Sequence, residues 1–167
     1  VFGAQFTARP LMALVAGKEF AESGEVLRIL ILAAGAIFLG SIFSHGIIAI
    51  NKQKKIIGAY LFTALTAVAA YIILIPRFSY FGAAWATVYS ETMIAFFSAY
   101  FIWKYAGFLP NLKIFFKSLA ASIVMGIFLF LIGPEKFSGL KISLTIGAAG
   151  LLYFATLYFI KGITRDD

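Results

Sequence analysis

Twenty consecutive residues, Ile56 to Ile75, pass without a charged side chain. At 1.5 Å per residue a helix of that length reaches about 30 Å, the thickness of a bilayer's hydrocarbon core. Hydrocarbon offers no hydrogen-bond partners, so an apolar run of this length must satisfy its backbone internally, as a helix does. Comparable runs begin near Leu27, Ala83, Phe116 and Ile142. The pattern predicts an all-α, polytopic bundle with five spans at residues 27–50, 56–75, 83–102, 116–132 and 142–160. Residues 1–25 read as the end of a truncated helix and an outer loop, with Ser23 and Glu25 suited to starting the next helix. Residues 26–167 read as the transmembrane bundle.

Composition supports a membrane class. Hydrophobic residues make up 62% of the chain, with 14 Lys and Arg against 7 Asp and Glu, which excludes a disordered chain and fits a soluble domain poorly. The absence of cysteine excludes disulfides, thiolate metal sites and a cysteine nucleophile. Basic residues fall in short clusters between apolar runs, a pattern of topology determinants and not of a nucleic-acid surface. If all five runs span, Lys52, Lys54, Lys55, Lys104, Lys113, Lys117, Lys161 and Arg165 share one side. Lys18, Arg28, Arg77, Lys136 and Lys141 share the other. The excess of basic residues places the first group, and the C-terminus, in the cytoplasm. Trp103 to Lys117 carries Trp, Tyr and Lys anchors around Pro110 and reads as interfacial. The opening VFGAQFTA has neither a charged n-region nor a small-residue cleavage site and reads as part of a longer chain.

The chain pivots on IILIPRFSYFGAAWATVYSE, Ile72 to Glu91. Pro76 has no amide hydrogen and is expected to end the first helix, with a turn through six residues before Gly82 opens the next. At about 100° per residue, Gly82, Ala86 and Ser90 fall on one stripe and Ala83, Thr87 and Glu91 on its neighbour. Trp85, Val88, Thr92 and Phe96 lie opposite. Small residues at four-residue spacing let helix backbones approach closely in lipid. The first face is therefore expected to meet neighbouring helices and the opposite face acyl chains. Gly147, Gly150 and the run from Gly35 to Ser44 read as further close-packing positions.

Glu91 is the single acid inside a span. An acid near the midplane costs about 2.5 to 3.5 kcal/mol on insertion scales, against ~0.3 to 0.6 returned by each large apolar residue. Val88, Ile94, Phe96, Phe97, Phe101 and Ile102 are the six such residues available, so this helix needs neighbours. Glu91, with Thr87, either lines an ion or substrate pathway or locks packing as a hydrogen-bonded acid. His45, a turn from Ser41 and beside Ser44, is either proton-linked or simply bonded to a serine. Arg77 either meets an anionic headgroup or pyrophosphate, or snorkels to the surface. No nucleophile with a base, carboxylate pair, phosphate loop or metal-ligand spacing is present in the sequence. It argues against catalysis and calls for neither metal nor cofactor.

The order AGKEFAESGEVLRILILAAG, a span closed by NKQKK, then LIPRFSYFGAAWATVYSE resembles the C-terminal region of the polysaccharide biosynthesis family. These are the O-antigen and exopolysaccharide flippases of the multidrug, oligosaccharidyl-lipid and polysaccharide exporter superfamily. The resemblance covers Leu11 to Ile102. It implies an all-helical carrier of two lobes, of which this chain supplies most of the second and an N-terminal lobe of the same protein the first. It further implies alternating access in the inner membrane, with membrane lipid and a polyprenyl-pyrophosphate-linked oligosaccharide as partners. A cation-coupled drug exporter of the same superfamily and a non-transporting membrane scaffold are the alternatives. Basic residues within the spans of the other lobe would mark a flippase, acids an exporter, and neither a scaffold.

Overall fold

The computed structural model describes residues 1–107, 112–134 and 139–160. Its elements are α1 (Phe2–Val15), a single 3₁₀ turn (Lys18–Phe20), α2 (Ser23–Ala49), α3 (Gln53–Ala106), α4 (Leu112–Ile132) and α5 (Leu140–Phe159). Among the described residues four helices, α2 to α5, are long and apolar enough to cross a membrane. Large apolar side chains cover their outer faces, with Phe38 74% and Phe159 82% exposed. Apolar cover on that scale marks a surface made for contact with lipid or protein; hydrocarbon is the solvent that suits these faces.

At 54 residues α3 would measure about 80 Å if straight. It reverses at Ser79, which takes φ 51° and ψ −133°, a conformation that L-residues seldom adopt. Close pairs then step outward symmetrically from Ser79. Leu74 meets Gly82, Tyr71 meets Thr87, Phe62 meets Phe97, and Tyr60 meets Ser98. The two arms of α3 are thus an antiparallel hairpin, each with roughly half the residues. The six-residue turn expected from Pro76 does not occur, because Pro76 lies inside the first arm. Proline there forfeits one bond, to the Ile72 carbonyl, close to the arm's end where carbonyls lose their helical partners anyway.

The chain divides into two compact units, Val1–Arg28 with Asn111–Asp167, and Ile29–Pro110. In the first, α1 packs on α4 and α5, with Phe6 edge-on to Phe130 at 6.3 Å between ring centroids. The start of α2 is tied to α1 by Glu25, which pairs with Arg9 at 3.3 Å and Arg28 at 2.9 Å. Gln5 Nε2 donates to the Arg28 carbonyl at 2.9 Å. Gly24 lies directly against the Arg9 backbone, where a Cβ would stand 2.5 Å from Arg9 Cα.

In the second unit α2 runs parallel to the second arm of α3. Gly40 rests on Ala95 and Gly46 on Ile102, and Ser44 bonds Ser98, all at nearly constant sequence offset. Ile47, Ile56 and Ile102 form the buried core where the three helices meet. Gly147 and Gly150 correct the packing expectation. A Cβ at either would meet nothing within 4 Å among the described residues, since that face of α5 has no helix against it there. The expected exposed positions Lys136, Lys161 and Arg165, and Pro110 in the interfacial segment, lie outside the described residues.

Two outcomes follow from the hairpin. A Cβ at Gly82 would stand 2.2 Å from the Leu74 carbonyl oxygen, so Gly82→Ala should cost about 3 kcal/mol in detergent unfolding titrations. Gly58→Ala in the first arm, with open space around it, should be neutral or gain about 0.5 to 1 kcal/mol. Equal stability of the two variants would contradict the close turn. Single cysteines at Gln53 and Gly107 should label from one side of the membrane and one at Tyr80 from the other; labelling of all three from one side would rule out spanning arms.

Candidate functional site

Between α2 and the second arm of α3 lies a cavity of about 260 Å³. Its polar wall is Ser41, Ser44, His45 and Glu91, and Ile37 and Ile94 are among its apolar lining. Glycine at position 40 leaves the two backbones close together beside it, with Ala95 against the Gly40 Cα. Glu91 is half-buried, and its carboxylate makes no hydrogen bond or ion pair among the described residues. On the same arm Trp85 and Phe96 are 51% and 61% exposed while Gly82 and Ala86 are buried, so the helix presents an apolar outer face and a small-residue inner one. Ser90 is half-buried and donates to the Thr87 carbonyl at 3.0 Å.

His45 Nδ1 lies 2.7 Å from the Ser41 backbone carbonyl. A carbonyl only accepts, so Nδ1 carries the proton and Nε2 is left as an acceptor in the neutral ring. The serine partner expected from sequence is thus a main-chain oxygen. The Ser41 hydroxyl itself donates back to the Phe38 carbonyl at 2.9 Å.

Beside the cavity is a group that the sequence reading missed. Ser44, Tyr60 and Ser98 bring three hydroxyls into a closed triangle, at 3.0 Å (Ser44 to Tyr60), 3.1 Å (Ser44 to Ser98) and 3.0 Å (Tyr60 to Ser98). Each hydroxyl has one hydrogen to give and lone pairs to receive, so three groups from three helical segments satisfy one another completely. Ser98 is fully buried. The sequence signal was a serine and a tyrosine within apolar runs, but partners 16, 38 and 54 residues apart are visible only once the hairpin is folded.

The remaining candidates stand apart. Thr87 Oγ1 donates to the Ala83 carbonyl at 3.0 Å, so its one hydrogen is spent and Tyr71 must donate to it, at 2.8 Å. Arg77 is exposed near the hairpin turn and forms no part of the cavity wall. In the first unit a wider cavity of about 720 Å³ is lined by residues including Gln5, Phe6, Arg28 and Phe130; there Gln5 donates to the Arg28 carbonyl and the Arg28 guanidinium pairs with Glu25 of its own helix. Among the described residues no three His, Asp or Glu side chains converge as a metal site.

The arrangement offers a carboxylate, an imidazole nitrogen and hydroxyl oxygens to a small cationic or hydrogen-bonding guest, inside an otherwise apolar bundle. Comparison with known protein families, with curated proteins and with solved structures finds no match.

Removing one corner of the triangle should be costly only in context. Ser98→Ala and Tyr60→Phe are each expected to lose about 0.5 to 1.5 kcal/mol in detergent unfolding. The double variant should lose clearly less than the sum of the two, since the triangle is broken by either alone. Strict additivity would show that the hydroxyls do not act as one group.

Proposed function

We propose that this chain is the C-terminal part of a flippase that moves polyprenyl-pyrophosphate-linked oligosaccharide units across the inner membrane for polysaccharide biosynthesis. Two lobes would rock about a shared pathway, with the C-terminus cytoplasmic and no chemistry performed on the substrate. The sequence resemblance over Leu11 to Ile102 supports this reading. The observation that carries a transport role is the acid-lined cavity beside Glu91, because a half-buried carboxylate in an apolar helix is expensive unless it serves a pathway or partner. At about 260 Å³ the cavity suits an ion or water and is small for even a drug-sized ligand. The oligosaccharide would therefore pass between this lobe and its N-terminal counterpart, and the cavity would serve coupling. The same observation favours a second reading, a cation-coupled drug exporter of the same superfamily with Glu91 as its ion site.

The test uses the full-length protein in cells. Its loss should leave lipid-linked sugar units on the cytoplasmic leaflet while their synthesis continues. Unaltered arrival at the outer leaflet would refute the flippase reading, and loss of drug efflux instead would select the exporter. Glu91→Gln keeps the shape of the side chain but cannot ionise. Under a coupling role the variant should accumulate normally while transport falls by about tenfold or more; undiminished transport would reduce Glu91 to a packing residue.

A further inference from the structure

Within Ile29–Pro110 the sequence holds five basic side chains and one acid, Glu91. Four of the five, Lys52, Lys54, Lys55 and Lys104, belong to one end of the unit, where α2 stops, the first arm of α3 starts and the second arm stops. All four are exposed.

Two of them are held in place. Asn51 adopts a left-handed conformation, φ 53°, its amide bonds the Ile48 carbonyl and the Lys52 amide bonds the Ile47 carbonyl. This double bond pattern closes α2 and fixes where Lys52 leaves it. Gly107, φ 63°, closes the second arm through its amide to the Trp103 carbonyl, fixing the last turn that carries Lys104. The two ammonium groups then converge on one ring: Lys52 Nζ lies 6.0 Å from the centroid of Tyr105 and Lys104 Nζ 5.8 Å from it. Lys104 also stands 5.8 Å from the Tyr100 ring.

The two charges are therefore no more than roughly 12 Å apart, against a screening length of about 8 Å in physiological salt, so one phosphate group between them lies within reach of both fields. A tyrosine face attracts each cation weakly and neutralises neither. The one acid of the unit is thirteen residues from Lys104 along the arm, about 20 Å away. Exposed Trp103 and Tyr105 are the side chains that settle at the headgroup level of a bilayer.

We infer that this lysine and tyrosine cluster is a binding site for the headgroup phosphate of an anionic phospholipid, with Lys52 and Lys104 as its two principal contacts. Lys54 and Lys55 add to the local field. The site is independent of what the protein transports, since it needs only the spanning hairpin and the end of α2.

The experiment reads Trp103 directly. The chain has two tryptophans, so Trp85→Phe leaves Trp103 as the reporter of its surroundings. This variant is placed in phosphatidylcholine vesicles containing a minor fraction of either brominated phosphatidylglycerol or brominated phosphatidylcholine. The anionic quencher is expected to act on Trp103 about threefold more strongly at equal mole fraction, and the excess should vanish near ~1 M salt. Lys52→Gln with Lys104→Gln should abolish most of the excess, while Lys18→Gln leaves it intact. Equal quenching by the two lipids at low salt overturns the inference, and that comparison needs no lysine variant to fold. Displacement of the excess by inorganic phosphate at matched ionic strength would also overturn it, in favour of a soluble anion.

Discussion

The hydrocarbon core is about 30 Å thick, and the 54 residues of α3, interrupted by few charges, hold two apolar runs of spanning length on either side of Arg77. A straight helix of that length cannot be accommodated, so the chain has to reverse near its middle. The reversal falls at one residue, Ser79, and much of the second unit's packing depends on it. It brings the Leu74 carbonyl against position 82, where glycine alone fits. It sets the arms antiparallel and so brings the far end of the second arm back to the end of α2. The core of Ile47, Ile56 and Ile102 forms at that return.

Much of the architecture was legible in the sequence because hydrophobic length is a local property. The apolar runs sit on helices, and Gly82, at the head of the small-residue stripe, lies against the first arm. The place of the turn was misread because proline's local cost was weighed alone. Near a helix end that cost is small, and the strained residue proved to be Ser79, whose composition gives no warning. Glycine spacing likewise underdetermined contact. Gly40 and Gly46 meet a neighbouring helix while Gly147 and Gly150 face open space, and nothing in the motif distinguishes the two cases. The cavity residues His45, Ser41 and Glu91 were visible singly. Their convergence required knowing that α2 and the second arm run parallel at a fixed offset.

Polar groups in this unit are used sparingly. Thr63 and Thr66 return their hydroxyls to carbonyls one turn back, at 2.9 and 3.0 Å, and thereby leave the helix surface apolar. Few hydroxyls remain for contacts between segments. Those that do, Tyr71 with Thr87 and the group of Ser44, Tyr60 and Ser98, act as register marks. A slide of one residue along either arm would separate them, as it would drive a side chain into the close contacts at Gly82 and Gly40. Individually such bonds are modest in a membrane, about 0.6 kcal/mol on average; their value lies in selecting one alignment together with those close contacts.

The triangle of hydroxyls has a property that its distances alone do not express. Three hydroxyls closed on one another can circulate their hydrogens clockwise or anticlockwise, and both senses satisfy every group without moving a heavy atom. The two senses differ only in which hydroxyl donates to which. Ser44 belongs to the ring and also to the cavity wall, and in either sense its one hydrogen is spent within the ring, leaving only a lone pair for the cavity. The ring is thereby satisfied whichever way its hydrogens run, and Ser44 meets the cavity as an acceptor alone.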